Sequence, residues 1–401
     1  MVTESHRITK MGKHARKAYL QAIRTRYRQS DKASKQVILD EFCEVCDYAR
    51  KYAIRLLSRQ SDGQRPSAKR PGVKPKYQAD TLMEPLRRIW FASDQPCGKR
   101  LKAVIPLWLP HYETQYGALA ESVRTDLLKA SAATLDRLLK ALRVTHPKGL
   151  SGTKPGSLLK TQIPIRTNHW DETQPGFMEA DTVAHCGNSL TGDFIWSLTM
   201  TDIVTGWTEC RATWNKGSQG VLEQIQAIES LLPFPLKGFD CDNGSEFLNH
   251  HLVRYFTNHP SKPAFTRSRP YKKNDNAHVE QKNWTHARQL FGYDRIAKPQ
   301  LVALMNQVYS SLWCPLQNHF CPNQKLKEKQ RCGAKYKKKY HPPQTPYQRI
   351  IDHPDVPESV KDALKNQHDS LNPFAIKAAI EQQLKLIFSH VSVTPNVRHR
   401  L

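Results

Sequence analysis

A chain of 401 residues is longer than one ordinary core encloses and predicts several domains, each able, at 39% hydrophobic content overall, to bury a core of its own. Its 61 Lys+Arg against 36 Asp+Glu leave a formal charge of +25, which repels itself and favours a polyanionic partner. A membrane span and a secretory leader are not expected: no run nears the roughly 20 apolar residues a span needs, Met1 to Lys17 lacks an apolar stretch, and the cysteines of an intracellular chain read as reduced thiols.

The charge is uneven. Residues 1–150 hold 30 basic and 14 acidic side chains, 151–300 hold 16 and 15, and 301–401 hold 15 and 7, so two basic ends flank a near-neutral middle. Residues 1–60 form an N-terminal module with helical periodicity over about 10–58. Val37, Ile38, Leu39, Phe42, Val45 and Cys46 precede a break near Asp47; Ala53, Ile54 and Leu57 then share one helical face, with Arg50, Lys51 and Arg55 on the outer surface. Two short helices around a tight turn, the second basic, predict a helix-turn-helix offering Arg50, Lys51 and Arg55 to DNA; a generic helical bundle is the alternative. A Gly-, Pro- and charge-rich linker at 61–77 leads to a second helical, DNA-binding module at 78–145. There a break at Ala130-Ser131 repeats the pattern, Arg137-Leu138-Leu139 echoes Arg55-Leu56-Leu57, and Arg137 is a further candidate for DNA contact.

Residues 146–174 form a second linker. Over 175–320 the pattern changes: 177–184, 194–201 and 207–214 read as strands, 219–232 as a helix, 236–241 as a short strand and 245–257 as a helix. A last strand at 264–266 and helices at 276–290 and 299–312 follow. This order predicts an α/β core with a mixed sheet covered on both faces. Residues 321–401 read as a basic, mostly helical C-terminal region, in which the run Lys335 to Lys339 is a solvated face or a DNA contact.

Three acids stand where metal-dependent phosphoryl transfer needs them. Asp181 lies in mid-strand. Asp242 ends a later strand before the turn formers Asn243-Gly244, with Ser245 as a helix N-cap, and Glu280 sits on a helix. Attack on a phosphodiester needs a hydroxyl nucleophile in line with a stabilised leaving oxygen, and two hard cations about 3.5–4 Å apart serve both. Mg²⁺ keeps several waters, so a few carboxylates suffice to hold it. Glu179 and Asp240 compete, each two residues from its rival on the same strand face, and Asp202 is a spare acid. Glu246 reads as a supporting or DNA contact. In the polar stretch ahead of Glu280, Lys272 and Lys273 can hold phosphates and Tyr271 can stack on a base, while Lys282 and Arg288 can track the same backbone from the helix beyond; an ordinary solvated loop is the alternative.

The pair Asp181-Thr182, the run Asp242-Asn243-Gly244-Ser245-Glu246-Phe247 and the spacing Asn276-x-x-Val279-Glu280 resemble the integrase core of retroviral integrases and bacterial insertion-sequence transposases. The motifs cover about 175–300, and the paired helical modules ahead extend the resemblance to about 350. It implies a ribonuclease H-like fold with two Mg²⁺ (or Mn²⁺) ions held by Asp181, Asp242 and Glu280. It further implies double-stranded DNA as partner, both element terminal repeats and target, a homodimer or higher multimer on DNA, and a cytoplasmic, nucleoid-associated place in a bacterium. The implied activity is 3′-end cleavage followed by strand transfer. A ribonuclease H-like nuclease that does not join, and a non-enzymatic regulator derived from a transposase, are the alternatives; three intact acids argue against the regulator. The Asp242–Glu280 spacing departs slightly from that of retroviral integrases, a difference the intervening loop absorbs. Cys43 and Cys46 have the spacing of half a zinc site, yet they fall on a buried helical face and are expected to pack as thiols.

Overall fold

A computed structural model describes residues 11–58, 77, 79–145, 173–241, 246–247, 249–267, 277–333 and 335–391. The chain divides into two compact units, Met1–Pro75 and Lys76–Leu401.

In the first unit α1 (Lys13–Gln29), α2 (Lys32–Cys46) and α3 (Arg50–Ser58) pack around Ile38, Leu39, Phe42, Cys46, Ala53 and Leu57. Asp31 caps α2 by accepting from Ser34 N at 3.1 Å. Asp47, left-handed at φ 56°, ends α2 and lets the chain re-enter a helix at Arg50. Ile54 departs from the expected buried face, being 40% exposed. Ala53 and Leu57, one turn apart, fill the inner stripe, and Ile54 lies about 100° further round. Cys46 is buried and Cys43 half-buried in this core.

The second unit begins with α4 (Ala79–Ala92), α5 (Gly98–Tyr116), α6 (Glu121–Lys129), α7 (Ala132–Leu138) and α8 (Lys140–Thr145). The sheet follows: β1 (Phe177–Ala184), β2 (Ile195–Asp202), β3 (Thr208–Trp214), α9 (Ser218–Glu229), β4 (Gly238–Cys241), α10 (His250–Asn258) and β5 (Ala264–Arg267). The five strands lie in the order β3-β2-β1-β4-β5, with β1 to β3 antiparallel and β4 and β5 parallel to β1. The helix expected over 245–257 starts only at His250, where Asn249 caps it by accepting from Leu252 N at 3.0 Å.

Next come α11 (Ala277–Lys282), which widens into a π-helical stretch (Asn283–Arg288), and α12 (Leu301–Val308), which passes through a second such stretch (Tyr309–Trp313) into α13 (Cys314–Phe320). The C-terminal region differs from the mostly helical expectation by opening with an antiparallel hairpin, β6 (Leu326–Cys332) and β7 (Lys335–Tyr340). Then follow α14 (Pro346–Ile351), α15 (Glu358–Ser370) and α16 (Pro373–His390). No described helix is long and apolar enough to cross a membrane.

Strand alternation sorts the sheet into two faces. Met178, Ala180, Leu198, Met200, Phe239 and Cys241 pack with α9, α10, α14 and α15. On the opposite face Ile195, Cys210 and Ala212 join a core that runs through α12, α13 and α16 and on into α4 to α7. Trp108 of α5 shows how close this union is: its indole N–H donates to the Phe320 carbonyl at 3.0 Å and its ring meets Phe374 edge-on at 5.0 Å. The helical segment 79–145 therefore shares one core with the sheet.

Candidate active site

β1 is the central strand, and alternation puts Glu179 and Asp181 on the same face. Its register with β4 pairs Glu179 with Asp240 and Ala180 with Cys241. The pair Ala180–Cys241 immediately precedes Asp181 in one strand and Asp242 in the other sequence. Asp242, Lys272, Lys273 and the side chain of Glu280 lie outside the described residues.

The half-buried Asp181 accepts from Thr182 N at 2.7 Å through Oδ1 and from Asn283 Nδ2 at 2.6 Å through Oδ2. Glu179, 1% exposed, accepts from Val279 N at 3.1 Å. Val279 is the third residue of α11, so a carboxylate from the sheet takes up one of the amides that a helix start leaves unbonded. Two contacts on adjacent turns, Val279 and Asn283, thus fasten the Glu280-bearing helix to β1, bringing that helix to Asp181.

The competing acids serve the frame. Asp240 accepts from Thr266 Oγ1 at 2.6 Å, tying β4 to β5. Asp202 accepts from Gly176 N at 2.8 Å, Thr205 N at 2.6 Å and Thr205 Oγ1 at 2.7 Å, closing the β2–β3 turn against the entry to β1. Burial pushes its carboxyl above the usual range, against the pull of those hydrogen bonds. Glu246, 1% exposed, accepts from Thr182 Oγ1 at 3.1 Å and pairs with Lys216 Nζ at 2.5 Å through Oε1. Its Oε2 has no hydrogen-bond partner among the described residues. Because Thr182 N also bonds Asp181, Glu246 braces the strand one residue from the candidate acid.

The basic candidates have mixed fates. Lys282 turns inward: Nζ donates to the Gly206 carbonyl at 3.4 Å, and burial, with Arg349 and Arg100 nearby, pushes its ammonium down to about 8. It does not face outward to track a DNA backbone as expected, since its place on α11 points it at the β2–β3 turn. Arg288 lies over the Tyr293 ring at 4.9 Å. Arg50 pairs with Asp40, Lys51 is exposed, and Arg55 lies over Tyr52 at 5.0 Å. Arg137 is exposed and donates to Ala133 O at 3.3 Å and Thr134 Oγ1 at 3.2 Å.

Sequence reasoning passed over Asn283 and the buried histidines. Asn283 had a signal, standing one turn beyond Glu280. His185 had none: its Nε2 meets Ser197 Oγ at 2.7 Å, Tyr309 OH donates to the same Oγ at 2.8 Å, and burial pushes the imidazole down to about 3. Among the described residues no group of three or more His, Cys, Asp and Glu side chains is gathered to hold a metal ion. The carboxylate of Asp181 offers oxygen ligands of the kind a hard cation takes.

No protein-family model matches the chain. Among solved structures, a chain of the simian T-cell lymphotropic virus intasome in complex with PP2A regulatory subunit B56 gamma is 17% identical at a TM-score of 0.26, with 45% of this chain covered. The alignment spans 59% of that viral structure's chain, less than two thirds of its length. An uncharacterized protein, y4rM, of Sinorhizobium fredii (strain NBRC 101917 / NGR234) is 42% identical over 335 residues, which is 82% of this chain and 93% of the relative. Identity at that level over nearly the whole relative is what shared descent and a shared fold produce, and the chain belongs to the same family as y4rM.

Proposed function

We propose that this protein is a DNA transposase, with a ribonuclease H-like core that cleaves DNA 3′ ends and transfers them to a target. The observation that carries the reading is the meeting of three elements. Asp181 lies on the central strand, β4 runs parallel beside it toward Asp242, and the helix of Glu280 is fastened across β1 through Glu179 and Asn283. The strand order β3-β2-β1-β4-β5, three antiparallel strands followed by two parallel ones, supports an α/β core of this kind.

Asp181, Asp242 and Glu280 would hold two Mg²⁺ or Mn²⁺ ions. Bound there, the ions would supply Lewis-acid activation of the attacking hydroxyl and stabilise the leaving oxygen. The chain's own contribution is positioning. Thr182 N and Asn283 fix both oxygens of Asp181, and Glu179 fixes the start of the helix that carries Glu280. Arg50, Lys51 and Arg55 on α3 would hold phosphates of the element end, and a dimer or larger assembly would bring two ends together.

The test is a Mg²⁺- or Mn²⁺-dependent cleavage and joining assay on DNA carrying the sequences that flank the gene, with wild type beside Asp242→Asn. Joined product from wild type, reduced at least about a hundredfold in the variant, is expected. Cleavage without joining would favour a nuclease. Tight binding with no product from either protein would favour a regulator.

A further inference from the structure

We propose that the β6–β7 hairpin is a grip for duplex DNA that enters a groove of the double helix. β6 reads LKEKQRC and β7 reads KYKKKY, with Glu328 the single acid. Every residue described between Lys327 and Tyr340 is exposed, so the ribbon buries neither face. An isolated two-stranded hairpin is at best marginally stable in water.

Its charges repel one another. In the backbone register position 329 pairs with Lys338, and the next pair on that face is Arg331 with Tyr336. The ion pair between Lys339 and Glu328, at 2.7 Å, belongs to the other face. Arg331, Lys337, Lys338 and Lys339 crowd one short ribbon in which Glu328 is the single acid, so their mutual repulsion opposes the fold that displays them. A polyanion reverses the sign of that effect by neutralising them and releasing its own counterions.

The base of the ribbon is tied to the body by hydrogen bonds. Lys325 donates to the carbonyls of Ile203 and Val204, and His341 N donates to Lys325 O at 2.9 Å. Asn323 and Gln344 exchange backbone hydrogen bonds of 2.9 and 3.2 Å, and Arg349 donates to Asn323 O at 2.8 Å and Thr205 O at 2.9 Å. A cationic ribbon on a fixed mount suits the major groove of B-form DNA, which admits a two-stranded β-ribbon. The preference for DNA over other polyanions rests on the function proposed above.

The test is fluorescence anisotropy of the full chain with a labelled random-sequence duplex between 50 and 200 mM KCl. Wild type is compared with a variant carrying Arg331→Gln, Lys337→Gln and Lys338→Gln. Each lost phosphate contact lowers the slope of log K against log salt by about 0.9, so the triple variant's slope is expected to be shallower by about 3. Wild type then loses about 40-fold more affinity than the variant across that salt range. Lys337→Arg with Lys338→Arg keeps the wild-type slope, and Lys338→Gln alone reads about a third of the effect should the triple variant misfold. An unchanged slope in the glutamine variants overturns the proposal, as does a loss confined to single-stranded DNA of the same sequence. The slope is read without divalent metal and needs no cleavage, so failure of the ribbon and failure of the enzymatic reading are distinguishable.

Discussion

The Glu179→Ala substitution tests whether the sheet holds the candidate catalytic helix. Glu179 is 1% exposed and accepts from Val279 N at 3.1 Å, in the first turn of α11. A hydrogen bond to a charged group contributes about 1.5–3 kcal/mol, and a carboxylate at a helix N-terminus adds about 0.3–1 kcal/mol. Alanine removes both and leaves the Val279 amide unsatisfied in a buried place, so a loss of about 2–4 kcal/mol is expected in urea unfolding at pH 7.5. Glutamine keeps an acceptor of similar shape without the charge and is expected to cost about half as much. The local signature lies in hydrogen exchange, where the segment 277–291 loses protection in the alanine variant before the rest of the sheet does. Metal-dependent cleavage is expected to fall about a hundredfold, as a catalytic group displaced by about 1 Å allows. Unfolding free energies of wild type and alanine variant that agree within about 0.5 kcal/mol, with exchange of 277–291 unaltered, would refute the idea that Glu179 anchors this helix.

Two further outcomes follow from buried titratable groups. His185 and His319 are both pushed by burial to about 3, while the unfolded chain protonates them near 6.5, so below 6.5 the unfolded state binds protons that the folded state refuses. No stability is lost to them above pH 6.5, and the loss grows as pH falls toward 3; at pH 5 the loss is about 2 kcal/mol each, and His319→Phe is expected to remove one such share from the difference between pH 7 and pH 5 in urea unfolding. Lys282, pushed down to about 8, has the complementary behaviour. Between about 8 and its ordinary 10.5 the unfolded chain holds a proton that the folded chain has released, so stability rises with pH across that window. Lys282→Met is expected to flatten that rise in thermal melts, and a rise of undiminished size would show that Nζ is solvated.

Much of the frame was legible in the sequence because it rests on local chemistry. The alternation of Met178, Ala180 and Thr182 against Glu179, Asp181 and Val183 marks a strand with two different faces, and β1 covers the expected residues. The break at Asp47 was legible because an acidic residue there tolerates the left-handed conformation that ends α2. Other features were not, for reasons of packing. The hairpin escaped notice because its strands bury no face, so no apolar alternation announces them. The π-helical stretch after Lys282 keeps a helical composition and differs only in which turn bonds to which. Asn283 reaches Asp181 within that stretch, a contact that spacing in an ideal α-helix does not reveal. The shared core of segment 79–145 depends on where Trp108 meets Phe320 and Phe374, residues more than 200 positions away along the chain.

The β2–β3 turn links these parts. Lys282 from the candidate catalytic helix, Lys325 from the root of the ribbon and Arg349 from α14 all donate to carbonyls between Ile203 and Gly206. Their crowding is costly: burial and mutual repulsion push Lys282 and Lys325 down to about 8, and burial brings Arg349 to about 10. Apolar side chains of similar volume would pack there without that penalty. What the cations add is direction, because each ties one element to a single turn that Asp202 ties to Gly176 at the entry to β1. The strand of Asp181, the helix of Glu280 and the base of the ribbon are thereby referred to one point. If the ribbon holds DNA, its position relative to Asp181 is set through this turn, which gives a physical reason for keeping three cations where hydrophobic packing alone would favour none.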